Sequence, residues 1–265
     1  MAQKSEDNLQ FPPFIELLTI DSTNNYALNL LRQLHLTDRQ LANLNGVTVF
    51  AHEQQQGKGQ RGKKWESAPG ENLQMSLIID PQPLQLHRQF LITAITALAV
   101  CDFLAEKTEV DFFIKWPNDI YFQDRKAGGI LIENIIAGSE WKWAVVGMGL
   151  NINQTSFDPS LPNPVSLKQI TGRKFDCVEL AKLLSERVLG VIAGYGLRDT
   201  GCGVPGGDLF DEYNARLYKR GEKVKLKKDS RVFEATIKQV AENGQLIVET
   251  GMEERFDFGE VVWVI

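Results

Sequence analysis

An α+β fold follows from three features of this 265-residue chain. Four short strand-like runs crowd between residues 112 and 146, with turn residues between them. A long apolar helix, residues 87–107, precedes them. The tail beyond Lys219 carries five more short strands and no helix. Strands this closely spaced are joined by tight turns, so the four runs form an antiparallel meander, not βαβ units.

The elements follow in order. Asp21-Ser22-Thr23-Asn24 precedes a helical pattern with Tyr26, Leu30, Leu31 and Leu34 on one face. Ser22 or Thr23 is placed to cap it through a side-chain oxygen. Residues 47–51 read as a buried strand and residues 73–79 alternate as a second one. The helix over 87–107 contains Thr93, Thr96 and Asp102, which marks it as a core helix and not a bilayer span. The meander runs through 112–116, 120–122, 129–136 and 143–146. Pro159, Pro162 and Pro164 mark an irregular loop, and helices are expected over 177–195 and 209–217. The tail reads as strands at 223–226, 232–240, 245–249, 254–258 and 261–264, a small β-barrel. Two domains are therefore expected, residues 1–218 and 219–265.

Composition narrows the function classes. The chain is 43% hydrophobic and 24% charged, so it buries a core without staples. A net charge of −5 argues against a partner whose phosphate backbone must be neutralised broadly. Cys101, Cys177 and Cys202 are odd in number and far apart, with no C-x-x-C, which fits a reducing cytoplasm. The N-terminus has no apolar core of a signal peptide.

The chemistry concentrates in two stretches. Gly57-Lys58-Gly59-Gln60-Arg61-Gly62-Lys63-Lys64-Trp65 is a flexible cationic loop in an acidic protein. It matches G-x-G-x-x-G, yet Pro69-Gly70 stops the helix that a dinucleotide site needs at once. It nearly matches a P-loop, but Lys64 stands where the magnesium-binding Ser or Thr belongs. What remains is a hairpin-like loop whose cations suit phosphate or carboxylate oxygens. Lys115-Trp116-Pro117-Asn118-Asp119 sits between two strands. There Pro117 makes a rigid corner and holds a lysine at a strand end beside an aromatic plate. Zincin and serine-hydrolase signatures are missing: Gln56 replaces the second His after His52-Glu53, and no G-x-S-x-G occurs.

Five pieces occur in order: Asp21-Ser22-Thr23-Asn24; Gln54 with the glycine loop; Lys115-Trp116-Pro117-Asn118-Asp119; Gly128-Gly129-Ile130-Leu131-Ile132-Glu133; and Gly147-Met148-Gly149-Leu150-Asn151-Ile152-Asn153. Together they resemble the biotin protein ligases over residues 17–153, and the closing barrel agrees with that family's small C-terminal domain. The resemblance implies a mixed β-sheet flanked by helices, like the class II aminoacyl-tRNA synthetases, and an SH3-like barrel. It implies a ligase that makes biotinyl-5′-AMP from biotin and ATP, then acylates a lysine of a biotin carboxyl carrier domain. Ser22, Thr23, Asn24, Gln54, Gly128 and Gly129 would border biotin, and Lys58, Gly59 and Gln60 would fold over it. Lys115 would be catalytic, touching the biotin carboxylate and the phosphate. Arg61, Trp65, Asn118 and Asn151 would lie with Lys58 and Lys115 on the nucleotide side. Mg2+ would accompany ATP, held mainly by phosphates and water, with no ligand residues assignable. Asp119 and Glu133 read as salt-bridge partners.

The family loop often reads Gly-Arg-Gly-Arg. Here Lys58 keeps the charge without the bidentate fork, and Gln60 loses it, leaving Arg61 or Lys63 to compensate. Only about twenty residues precede Asp21, too few for the DNA-binding domain that some members carry, so no DNA partner is expected. A homodimer through strand edges near 129–136 is the expected assembly if any forms. The nearest rival is a lipoate or octanoate ligase or transferase.

Overall fold

A computed structural model describes residues 13–32, 41–194 and 206–264. Leu34, Tyr195 and Cys202, which the sequence reading used, lie outside them.

Seven strands form the larger sheet: β1 (Phe14–Ile20), β2 (Thr48–Gln54), β3 (Leu73–Ile79), β4 (Phe113–Lys115), β5 (Asp119–Phe122), β6 (Arg125–Ala137) and β7 (Glu140–Leu150). Their order is β1-β2-β3-β7-β6-β5-β4. The meander from β4 to β7 is antiparallel, as expected. Among the described strands β1 and β2 alone pair with each other in parallel, which makes the sheet mixed. Sequence reasoning missed β1. It is an edge strand with Leu18 80% exposed, so Phe-Ile-Glu-Leu-Leu-Thr-Ile lacks the clean alternation that betrays a half-buried strand.

Two helical layers cover the sheet. Helix α1 (Thr23–Leu31) lays Ala27, Leu28, Leu30 and Leu31 against Val49, Ile78 and Val145 on one face. Helix α2 (Phe90–Thr108) packs with Phe50, Leu77, Ile79 and Val146 in the main core. By length and composition the stretch Leu86–Thr108 is long and apolar enough to cross a bilayer, against the sequence reading that it is not a bilayer span. Here it is mostly buried in protein, which explains why it is apolar around most of its circumference. The five-residue α3 (Leu167–Thr171) was not foreseen. Its signal was present: Ser166 and Gln169 form a capping box. Helix α4 (Cys177–Gly194) packs beside α2, with Leu180, Ala181, Leu184 and Val188 buried.

After α5 (Gly206–Ala215) the chain runs along the free edge of β4. Ile114 N–H donates to the Arg216 carbonyl at 2.8 Å, and Tyr218 N–H to the Ile114 carbonyl at 2.9 Å. A second antiparallel sheet follows: β8 (Lys223–Lys228), β9 (Arg231–Val240), β10 (Leu246–Glu249), β11 (Glu253–Phe256) and β12 (Val262–Val264), in order β11-β10-β9-β8-β12. All five expected tail strands are present.

Candidate functional site

The site forms where one sheet face loses its side chains. Register aligns Ser76, Gly147 and Leu131 across β3, β7 and β6, and beside them Gln74, Gly149 and Gly129. Alternation puts Ile78 and Val145 on the same face, where α1 covers them. Past the N-terminus of α1 the face carries glycines, and other groups come close. A Cβ at Gly147 would lie 2.3 Å from Asn24 Oδ1, and one at Gly149 would lie 2.6 Å from the Trp65 ring.

Ser22 takes the N-cap position of α1 with an extended backbone, but its side chain makes no capping bond. This corrects the expected cap. The orphan N–H of Thr23 is met by Gln54 Oε1 at the end of β2, 2.7 Å away, and the Thr23 hydroxyl reaches the same oxygen at 3.0 Å. Gln54 Nε2 donates to Gln74 Oε1 at 3.0 Å. Ser76 Oγ bonds Thr23 Oγ1 at 2.7 Å and Asn24 Oδ1 at 2.6 Å. Asn24 Nδ2 donates to Glu133 Oε2 at 2.7 Å, and Lys58 Nζ reaches Glu133 Oε1 at 3.1 Å. A polar chain thus runs from β3 to the glycine loop. It occupies both ends of the Gln54 amide, which the resemblance assigned to a ligand.

The glycine loop is a hairpin. Gly59 N–H donates to the Lys63 carbonyl at 2.7 Å and Trp65 N–H to the Gly57 carbonyl at 2.9 Å. A 3-10 turn, Gln60–Gly62, forms the tip, with Arg61 at φ 56° and Gly62 at φ 75°. Lys63 then returns to extended backbone and no helix follows, in line with rejection of both nucleotide motifs. Arg61 Nη1 donates at 3.1 Å to the Gly259 carbonyl, in the turn between β11 and β12. Gln60 lines the cavity, and its side chain has no hydrogen-bond partner among the described residues.

At the β4–β5 corner the Trp116–Pro117 bond is cis. Lys115 is 7% exposed. Its Nζ donates to Tyr121 Oη at 3.1 Å and stands 4.7 Å from the Tyr121 ring centroid and 5.3 Å from that of Trp263. The aromatic plates are therefore Tyr121 and Trp263. Trp116, the expected plate, is not one of them: its indole N–H donates to the Gly244 carbonyl at 2.8 Å, and its ring packs edge-on to Phe258. The side-chain amide of Asn118 is spent on the Ile130 carbonyl, and Asn151 Nδ2 donates to the Lys126 carbonyl at 3.2 Å. Burial, ahead of the charges around it, pulls the Lys115 ammonium down to about 8. Asp119, the nearest carboxylate source, is held by Lys126 at 2.7 Å.

These parts enclose a cavity of about 500 Å³. Ser22, Thr23, Asn24, Gln54, Lys58, Gly59, Gln60, Arg61, Trp65, Lys115, Asn118, Gly129 and Asn151 all line it. Gly128 does not; a side chain there would strike Leu150 and the Gly149 carbonyl, which makes it a packing glycine between β6 and β7. Sequence reasoning missed Ser76, Glu133 as a partner of Asn24, Tyr121 and Trp263. Gln74 and Ser76 carried a signal, since polar residues two apart in an otherwise apolar strand mark one face that is buried for a polar reason. The wall holds six basic side chains (Lys58, Arg61, Lys63, Lys64, Lys115, Lys126) and the acidic Glu66 and Asp119, so it favours an anion. No cluster of three His, Cys, Asp or Glu suited to a metal occurs among the described residues. Glu133 and Asp119 are both in ion pairs.

Comparison with known proteins agrees with this architecture. The bifunctional ligase/repressor BirA of Bacillus subtilis is 35% identical over 155 residues, 56% of this chain and 47% of that protein. The biotin–[acetyl-CoA-carboxylase] ligase of Paracoccus denitrificans is 33% identical over 175 residues, 64% of this chain and 68% of that protein. The chain spans about half the length of the BirA proteins it matches. A biotin protein ligase from Aquifex aeolicus, solved with biotin and ATP, shares the fold with a TM-score of 0.75 at 24% identity, over 95% of this chain and 98% of that one. Residues 18–151, which hold the glycine face, the hairpin and the Lys115 corner, match one family throughout, and the chain belongs to the Biotin/lipoate A/B protein ligase family.

Proposed function

We propose that this protein activates biotin with ATP and transfers it to a lysine of a biotin carboxyl carrier domain. The observation that carries the reading is Lys115: a buried ammonium in no salt bridge among the described residues, its neighbour Asp119 being held by Lys126, set in the wall of a cationic cavity. In the first step a carboxylate oxygen of biotin attacks the α-phosphorus of ATP and pyrophosphate leaves. In the second, the carrier amine attacks the acyl carbon of the mixed anhydride, AMP leaves, and the amine loses a proton. Both steps build charge on oxygen, which a fixed cation stabilises without having to reorganise. Lys115 supplies that charge. Lys58, Lys63 and Lys64 on the hairpin add mobile positive charge above the bound phosphate. Mg2+ would accompany ATP and offset phosphate charge, and no residue is assigned to it.

Biotin is favoured over lipoate or octanoate by the Paracoccus relative, whose name gives biotin as substrate. The deciding experiment incubates the protein with ATP and each acid in turn and measures the acyl-adenylate by mass. Biotinyl-5′-AMP should be the dominant product; lipoyl- or octanoyl-AMP in its place would overturn the assignment.

A further inference from the structure

Two buried side-chain polar atoms have no hydrogen-bond partner among the described residues, the indole nitrogens of Trp65 and Trp263. Both rings line the cavity. Trp65 belongs to the hairpin already described. Trp263 does not: it comes from β12, in the second sheet, near the far end of the sequence.

Trp263 closes an aromatic box around Lys115. Its centroid is 5.3 Å from Nζ, with the Tyr121 ring at 4.7 Å. Tyr218 backs both, 5.0 Å from Tyr121 and 5.7 Å from Trp263, and is itself fixed by a 2.6 Å bond to Asp124. The orphaned indole N–H is a cost that phenylalanine would avoid. Indole nevertheless offers a cation the strongest π face of any side chain. A carboxylate would hold the ammonium more firmly, but it would also cancel the charge that an anionic ligand needs. Aromatic faces hold a cation and leave it positive.

We propose that Trp263 is a positioning residue for Lys115, so that the C-terminal sheet helps set the charge of the reaction site. This rests on the reading of Lys115 as the cation facing the acyl-phosphate. The groups that face Lys115 are Tyr121 and Asp119 from β5, Lys126 from β6 and Lys63 from the hairpin, with Tyr218 behind. From β12 only Trp263 contributes, and it carries no charge.

The test uses the full chain with Trp263→Leu and Trp263→Phe. Leucine still excludes water but has no π face. The charged amine should therefore be disfavoured, and its titration should fall by roughly half a pH unit, with phenylalanine between. Acetic anhydride labelling of Lys115 across pH, read by peptide mass, follows this without any substrate. In biotin-dependent ATP–pyrophosphate exchange, the alkaline limb of kcat/KM should move down with it, a loss of about threefold at pH 8.5. Melting temperatures should stay level or rise in Trp263→Phe, which removes the orphan N–H. An unmoved labelling midpoint would overturn the proposal, and so would a midpoint that rises, because Trp263 would then be a water shield. If Trp263→Leu does not fold, the Phe variant decides by the same midpoint. If wild-type protein exchanges pyrophosphate with no acid, the ligase reading fails, while the labelling result still judges Trp263.

Discussion

The hairpin at Gly57–Trp65 and the corner at Lys115 bring positive charge to the same cavity by opposite physics. The hairpin is held by two cross-strand backbone bonds, one ion pair to Glu133 and one bond to the Gly259 carbonyl. Its lysines are exposed, and of them Lys58 alone is in an ion pair among the described residues. Lys115 is buried, boxed by rings, and depressed in basicity by its surroundings. One region spends little stability on its charge. The other carries a standing cost and is ready before the ligand arrives.

Lys115→Met should break that contrast most sharply. Adenylate formation should fall roughly 100- to 1,000-fold, the range for loss of one preorganised charge donor. The fold should at the same time gain up to about 3 kcal/mol at neutral pH, since lowering the lysine from 10.5 to about 8 reflects that order of desolvation cost. The sign follows from linkage: the cost is full below about pH 8 and disappears as pH rises toward 10.5, where the unfolded chain also loses the proton. Denaturant melts at pH 7 and pH 10 would show the gain shrinking. Equal gains at both would contradict it.

Gly149→Ala attacks the hairpin from below. The added methyl meets the Trp65 ring, so the loop must ride up from the sheet face. Adenylation should weaken about tenfold, mainly in KM for ATP, with little loss of stability. Unchanged kinetics would show that the Trp65 contact does not set the loop position. Gln60→Arg has a smaller expected effect. A guanidinium where the amide now has no partner should retain the adenylate several-fold longer. Stray biotinylation of exposed lysines measures this, and an undiminished leak would rule it out. The mildest change is in wild-type protein. Trypsin should cut at Lys58, Arg61, Lys63 or Lys64 several-fold more slowly once biotin and ATP are added. Equal cutting would mean that the hairpin does not order on the ligand.

Sequence made much of this visible, but unevenly. The meander was legible because β4 to β7 are separated by turn residues and pair with their neighbours in order. The hairpin and the Lys115 corner were legible because each is a contiguous run with unusual composition. Strand β1 was hidden by its exposed edge, and with it the one parallel pairing. The cap of α1 was misassigned because the oxygen that serves it belongs to Gln54, thirty-one residues away in sequence. Trp263 was unreadable for a similar reason: its role exists only once the second sheet lies against β4 and β5, while Tyr121 reaches Lys115 through the pairing of β4 with β5. Local chemistry was written in local sequence. The groups that tune it were assembled by register and docking.

Gly147 and Gly149 have one more consequence. At these two positions the floor of the cavity is main chain, in a strand hydrogen-bonded to a neighbour on each side. Any substitution at either position adds atoms, so mutation there can only make the chamber shallower. Deepening it would require the central strand of the sheet to shift against both neighbours at once. At these two positions, single mutations can change the depth of the cavity in one direction only.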